Sequence, residues 1–324
     1  MSWSSSLTWE NAQQRSNILS NIRVFFAEKG IVEVETPLLS RGTVTDVHLD
    51  AFTTRYDFLQ DPNECSVSLH LQTSPEFAMK RLLASGFGSI YQLCKAFRHE
   101  EYGRYHNPEF TILEWYRIGF NHFDLMDEVS AFLIAILNCK EPIKKSYQQA
   151  FMEVIELDPL ITSREQLMAV IEDRGKLSDW LKSENDIDTL LQFVFSEFVE
   201  PNIGINEPCF IYNFPASQAS LAKISQQDER VAERFECYFR GIELANGFNE
   251  LTNAESQLRR FQDDNKKRVE KGLKARAIDQ NFINALESGL PDCAGVALGV
   301  DRLIMLALDK GSIDEVLSFP IDRA

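Results

Sequence analysis

The stretch Phe97 to Arg117, FRHEEYGRYHNPEFTILEWYR, gathers three arginines, two histidines and four glutamates beside a segment that alternates like a buried strand. Burying charges without partners is expensive, so these groups either pair with one another or hold a charged ligand. Strand parity sorts them. Arg98 and Glu100 are two residues apart and share a face if the strand continues, and Phe110, Ile112, Glu114 and Tyr116 share one face of the second strand. An arginine can clamp phosphate or carboxylate at two points. A phenyl ring can stack on a base, and a strand carboxylate can take up an ammonium. An Arg–Glu ladder on a solvated sheet face would account for this segment if it stood alone.

Two further constellations stand beside it. In RFECYFRGIELANGFNEL (234–251), Glu236 and Glu243 flank a short turn and face each other across the hairpin it implies. Two facing carboxylates repel unless a cation lies between them, and Mg²⁺ with a polyphosphate is the usual reason for such a pair. Two solvated glutamates on an edge hairpin are the alternative. Asn246, Phe248 and Glu250 follow at period two, offering an amide, a wall and a third anion. In GVALGVDRL the glycines let backbone approach a ligand, and Arg302 sits at the start of a helix, where a cation opposes the dipole. Arg302 therefore faces an anion, or it pairs with Asp301 or a more distant carboxylate.

The elements that position these residues are read from periodicity. RSNILSNIRVFFAEKG (15–30) spaces its apolar residues as a helix with Gly30 at its end, after a polar leader over 1–14. IVEVETP (31–37) alternates as a strand and stops at proline. TSPEFAMKRLLASGFG (73–88) reads as a helix opened by Thr73 or Ser74, with Pro75 and Glu76 in its first turn. SIYQLCKAFR and EFTILEWYR read as two strands joined by a long polar loop. FDLMDEVSAFLIAILN (123–138) is a helix, and more helix is expected over 163–200. CYFRGIELANGF makes two strands around Arg240-Gly241, and GVALGVDRLIMLAL a strand running into a helix near Asp301. The expected architecture is one α+β domain over 15–324 on an antiparallel sheet, with a helical insertion at about 120–200.

Composition narrows the partners. Lys and Arg total 33 against 49 Asp and Glu, a formal net charge of -16 that opposes non-specific contact with nucleic acid. Six scattered cysteines (Cys65, Cys94, Cys139, Cys209, Cys237, Cys293) form no C-x-x-C, so reduced thiols are expected rather than a zinc site or disulfides. The N-terminus does not read as a signal peptide, and the longest apolar run, near AFLIAIL, is too short for a bilayer. The basic run from Lys266 to Arg276 reads as solvated helix surface, and His48, His70 and His122 as structural. No P-loop or G-x-G-x-x-G pattern occurs, so a bound nucleotide would lie on a sheet.

These stretches together resemble class II aminoacyl-tRNA synthetases. FRHEEYGRYHNPEFTILEWYR looks like motif 2, GVALGVDRL like motif 3, and the strand ending at Pro37 like motif 1. TSPEFAMKRLL, RFECYFRGIELANGFNELTNAESQLRRF and GLPDCAGVALGVDRL resemble the lysyl-tRNA synthetase catalytic domain from about Arg15 to the C-terminus. The resemblance implies ATP and Mg²⁺ as cofactors. Arg98 would clamp the α-phosphate and substrate carboxylate, Glu100 would read the adenine amino group, and Phe110 would stack on adenine. His106 would contact the outer phosphates and Arg302 the γ-phosphate, while Glu236 and Glu243 would bind Mg²⁺. Glu76 would face the substrate amine, Asn246 its carboxylate, and Glu114, Tyr116 and Glu250 its side-chain ammonium, with Phe248 as a wall.

The departures from that pattern point to a subfamily. Only the short polar leader precedes motif 1, so no anticodon-binding OB domain is expected. With the acidic charge, this speaks against tRNA as acceptor. TSPE, with Ser74, replaces an arginine-containing version, and Ala297 stands where the synthetases carry glycine, a methyl that can shift selectivity by roughly 1–3 kcal/mol. The pattern is similar to the elongation factor P lysine ligases, truncated lysyl-tRNA synthetase paralogues. It implies adenylation of (R)-β-lysine or lysine and transfer to a lysine of elongation factor P. A cytoplasmic homodimer joined through motif 1 is expected, without tRNA or membrane as partner. A lysine-activating enzyme that charges a tRNA or another small acceptor is the alternative.

Overall fold

The computed structural model describes residues 3–57, 66–100 and 102–324; Cys65 and Glu101 lie outside the described residues. In chain order, helix α1 (Trp9–Glu28) precedes strands β1 (Val32–Glu33), β2 (Leu39–Ser40), β3 (Thr53–Tyr56) and β4 (Val67–Leu71). Helix α2 (Glu76–Ala84) then leads into β5 (Ile90–Phe97) and β6 (Glu109–Ile118). Next come α3 (His122–Leu137), β7 (Ile143–Ser146), α4 (Tyr147–Ile155), α5 (Arg164–Asp173), α6 (Asp179–Ser183) and α7 (Ile187–Val194). The chain continues through β8 (Cys209–Pro215), β9 (Val231–Phe239) and β10 (Ile242–Asn249) to α8 (Ala254–Glu270), α9 (Gln280–Gly289), β11 (Cys293–Gly299) and α10 (Val300–Ala307). It divides into two compact units, Met1–Phe120 with Leu251–Ala324, and Asn121–Glu250. Each is a mostly antiparallel sheet flanked by helices, the expected α+β class.

In the first unit the strand order is β1-β5-β6-β11, with a smaller sheet β2-β4-β3. Helix α1 buries Ile22 and Phe26; the Phe26 ring stacks on Tyr91 at 4.4 Å and meets Trp115 edge-on at 5.3 Å. Large aromatic contacts of this kind dominate core energetics. Helices α2 and α9 join through Phe77 and Phe282, whose rings lie parallel 4.4 Å apart. Asp301, 3% exposed, pairs with Arg15 at 2.7 Å and accepts the Thr111 N–H at 2.7 Å, tying the start of α10 to α1 and β6.

In the second unit the order is β10-β9-β8-β7, with β7 parallel to β8. Asn121 caps α3 in a capping box with Asp124. Tyr147 stacks on Phe195 at 4.9 Å and, with Phe151, Phe214 and Tyr238, forms the aromatic part of a core otherwise built mainly from Leu, Ile and Val. Strands β9 and β10 turn through Arg240 (φ 51) and Gly241 (φ 71), the left-handed pair that a two-residue hairpin requires.

Several sequence expectations change. The first helix starts at Trp9, inside the stretch read as a leader, because Thr8 accepts the Asn11 N–H as its cap. IVEVETP supplies only Val32–Glu33 as strand. Helix α2 starts at Glu76 rather than at Thr73 or Ser74, with Pro75 at the capping position and the Glu76 N–H donating to Ser74 Oγ. Residues 163–200 are three short helices and a π-helical turn, Phe195–Val199. The basic run is not all solvated: Arg268 is 4% exposed and donates to the Lys274 and Asp46 carbonyls, while Arg276 donates to those of Val44 and Leu49. Both also pair with Asp50. Of the three histidines, His122 is buried and His70 contacts Thr53 Oγ1.

Candidate active site

In the first unit the register of three strands builds a floor. Gln92 lies opposite Glu114 and Ile90 opposite Tyr116 on β5, and Ala96 opposite Phe110. On β11, Gly295 faces Tyr116, Ala297 faces Glu114 and Gly299 faces Ile112. Directly opposed residues share a sheet face, so a carboxylate, a phenol and a phenyl ring line up beside a column of small side chains.

Glu114 is the centre of this floor. It is 2% exposed and accepts hydrogen bonds from Ser74 Oγ and Tyr116 Oη, each at 2.6 Å. Ser74 also accepts the Glu76 N–H at 3.1 Å, so it joins the start of α2 to the floor. Burial first, and then the neighbouring Glu76 charge, push the Glu114 carboxyl up to about 7, against the opposing pull of those hydrogen bonds and of Lys80. Lys80, 1% exposed, reaches Glu76 at 2.5 Å across one helical turn. The arrangement holds two carboxyl groups and one resident ammonium, so a second cation would meet in Glu114 an acceptor that it draws into the ionised form.

A second cluster is basic. The half-buried Arg98 lies with its guanidinium 5.1 Å over the Phe110 ring, a cation–π contact. Arg302 donates from Nε to the Tyr105 carbonyl at 3.2 Å, and its Nη2 lies 2.7 Å from His106 Nε2. Partial desolvation, then the charges of Arg302 and Arg98, hold the His106 imidazole below its usual pKa. Two guanidiniums therefore act on one imidazole, the environment a polyanion would neutralise. Asp301, the alternative partner of Arg302, is engaged with Arg15 instead. Glu100 is exposed: β5 stops at Phe97, so strand parity does not set it beside Arg98.

The second unit carries the other candidates on β9 and β10. Asn246 lies opposite Glu236, Phe248 opposite Arg234 and Glu243 opposite Tyr238, with a bulge between Glu243 and Ala245. Glu236 is 7% exposed and accepts from Arg234, from Tyr238 Oη and, at 3.4 Å, from Asn246 Nδ2. Burial pushes its carboxyl up, Arg234 opposes this, and the Glu243 charge adds to it. Glu243 is half-buried and Glu250 is 1% exposed, while Phe248 packs on Ala219, Ala222 and Ala232.

Glu236 and Glu243 are hard oxygen donors within electrostatic reach of each other on one hairpin, a donor set that fits Mg²⁺, which takes one or two carboxylates and completes its shell with water and phosphate. Among the described residues no group of three or more His, Cys, Asp or Glu side chains could hold a metal by itself.

Sequence reasoning missed Lys80, Gln92, Arg234 and Tyr238. Lys80 is signalled by its i,i+4 spacing from Glu76, and the other three by strand parity with Glu114 and Glu236. Gln92 is 2% exposed, and its side-chain carbonyl makes no hydrogen bond among the described residues.

A family model, tRNA synthetases class II (D, K and N), matches residues 2–323. The chain belongs to this family of class II tRNA synthetases. Its domain is therefore of the type that uses ATP to activate an amino acid in a ligase reaction. Among the described residues no helix is long and apolar enough to cross a membrane.

Proposed function

We propose that this protein adenylates a lysine-type diamino acid, (R)-β-lysine or lysine, with ATP and transfers it to a lysine side chain of elongation factor P. The observation that carries the diamino-acid part is the buried Glu114 carboxyl beside Glu76, with Lys80 as a built-in cation acting on both. A substrate ammonium would draw the Glu114 carboxyl into its ionised form, which a neutral side chain could not do.

In the first step an oxygen of the amino-acid carboxylate attacks the α-phosphorus. The bond from that phosphorus to the bridging oxygen breaks, and pyrophosphate leaves. Arg98 holds the α-phosphate and the attacking carboxylate, and Arg302 with His106 draws charge from the outer phosphates. Phe110 offers a stacking face to adenine, and Glu100 is assigned to its amino group. Positioning and charge stabilisation supply most of the acceleration in such a step. Glu236 and Glu243 are assigned to Mg²⁺, which when bound neutralises phosphate charge. Asn246 is assigned to the substrate carboxylate, and Tyr116, Glu250 and Phe248 to its side chain. In the second step a neutral lysine amine attacks the adenylate carbonyl, forming an amide and releasing AMP. The reading includes a homodimer and a cytoplasmic location; light scattering at micromolar concentration tests the dimer.

A second reading, transfer to tRNA, is favoured by the family match itself. Against it stands the formal net charge of -16, which repels a polyanionic acceptor. The deciding experiment measures ATP–pyrophosphate exchange with a panel of lysine isomers, then offers the activated product to elongation factor P and to tRNA side by side. Labelled elongation factor P supports the proposal. Labelled tRNA alone replaces it with the second reading, and exchange stimulated only by non-basic amino acids removes both.

A further inference from the structure

Arg234 is held more firmly than a surface arginine. Its side chain is 15% exposed and its guanidinium lies 4.5 Å from the centre of the Phe214 ring. Nη1 donates to the Gln218 carbonyl at 2.8 Å, Nε points to Asn246 Oδ1 at 3.4 Å, and Nη2 donates to Glu236. Every side of the fork is engaged, so the charge has little freedom to move away. It sits on Glu236, one of the two carboxylates that lie within electrostatic reach of each other on this hairpin. The cation that such a pair requires is thus supplied in part by the chain itself.

We infer that Arg234 is a resident counter-cation of Glu236 that competes with a divalent metal for this carboxylate and so sets how tightly the nucleotide-free protein holds metal. The inference deepens the assignment of Glu236 and Glu243 to Mg²⁺ and rests on it. Arg234 acts through Glu236 and Asn246, as a positioning residue. With Arg234 in place, the two carboxylates and the guanidinium leave a net charge of minus one for an incoming dication. Neutralising Arg234 leaves minus two, and neutralising Glu236 alone leaves zero. The same guanidinium also orients the Asn246 amide, since Nε meets its oxygen and leaves the NH₂ group toward acceptors such as Glu236.

The test is a titration of nucleotide-free protein with manganese(II), reading free metal by electron paramagnetic resonance. Relative to the unaltered protein, Arg234→Gln is expected to bind manganese about tenfold tighter, from the change of one unit charge at short range. Arg234→Lys keeps the charge and should stay within about threefold, and Glu236→Gln alone should bind about tenfold more weakly. Unchanged or weaker binding by folded Arg234→Gln overturns the inference. Should that variant not fold, Arg234→Gln with Glu236→Gln replaces the pair by two neutral amides and restores the original net charge. Binding within about threefold of the unaltered protein then supports the inference, and a loss of tenfold or more overturns it. The readout needs no amino acid. Protein that binds manganese but exchanges pyrophosphate with no amino acid removes the proposed reaction while leaving this result standing, whereas unaltered protein with no manganese binding overturns the inference alone.

Discussion

The Arg302 guanidinium and the His106 imidazole meet at 2.7 Å, Nη2 to Nε2, and a guanidinium can only donate, so the imidazole accepts and is neutral at that nitrogen. Desolvation, Arg302 and Arg98 all hold its pKa down. An imidazole that resists protonation in the folded state loses stability for the protein as pH falls below about 6.5, where the unfolded chain takes up the proton. ATP would reverse the sign of the local field. The expected outcome, read from imidazole NMR shifts across pH 5 to 8, is a His106 pKa below 6.5 without nucleotide that rises when ATP is added. A pKa unmoved by ATP would take His106 out of the phosphate site.

Arg302→Ala removes both contacts of that guanidinium, to the Tyr105 carbonyl and to His106. Loss of one pre-positioned donor in such sites costs about 10²–10³ in rate. ATP–pyrophosphate exchange should fall by about that factor, and Arg302→Lys should recover only part of it, since an ammonium lacks the two-point fork.

Under the proposed assignment, Glu114 gives amino-acid binding its own pH dependence. Its carboxyl, raised to about 7, is largely neutral at pH 6 and ionised at pH 8, and only the ionised form pairs with an ammonium. KM for a basic amino acid should therefore fall about tenfold between these values, and Glu114→Gln should flatten the profile and weaken binding by about 1.5–3 kcal/mol. The stability sign runs the other way. A carboxyl whose pKa is raised on folding contributes most below its ordinary value near 4.5 and loses that contribution as pH rises through 7, so Glu114→Gln should gain stability relative to the unaltered protein from pH 5 to pH 8 in urea melts.

Lys80→Met removes the ammonium that balances Glu76 and moderates the Glu114 environment. Breaking a buried pair by deleting one partner costs about 3–5 kcal/mol, which urea unfolding of the variant should show. A loss below about 1 kcal/mol would mean that Glu76 finds water or another cation in its place.

Much of this was legible because period-two spacing survives folding. The even-numbered set Phe110, Ile112, Glu114 and Tyr116 does share a face, and the glycines of GVALGVDRL do fall opposite it. Glu236 and Glu243 do lie on the two strands of a hairpin whose turn is Arg240-Gly241, opposite Asn246 and Tyr238 rather than each other but within electrostatic reach. What sequence could not carry were contacts set by tertiary packing. A lysine in the second turn of an amphipathic helix reads as surface, yet Lys80 is buried where α9 packs on α2, its ammonium 5.8 Å from the centre of the Phe282 ring. Arg268 and Arg276 look solvated until Asp50 and the carbonyls of Val44, Asp46 and Leu49 are brought to them. The shared strand face of Arg98 and Glu100 does not form, for a local reason: β5 ends at Phe97, three residues before Glu100.

The β11 column of Gly295, Ala297 and Gly299 carries one consequence for how such a protein changes over generations. Along that column a single Cβ, that of Ala297, stands level with Glu114, and the neighbours on either side have none. If the proposed amino-acid site is the one used, shape and charge are set by different residues there: a one-codon change at 297 alters the space beside Glu114 while adding or removing no ionisable group. On that reading a lineage could exchange one amino-acid isomer for another without passing through an ancestor that had lost the buried charges around Glu114.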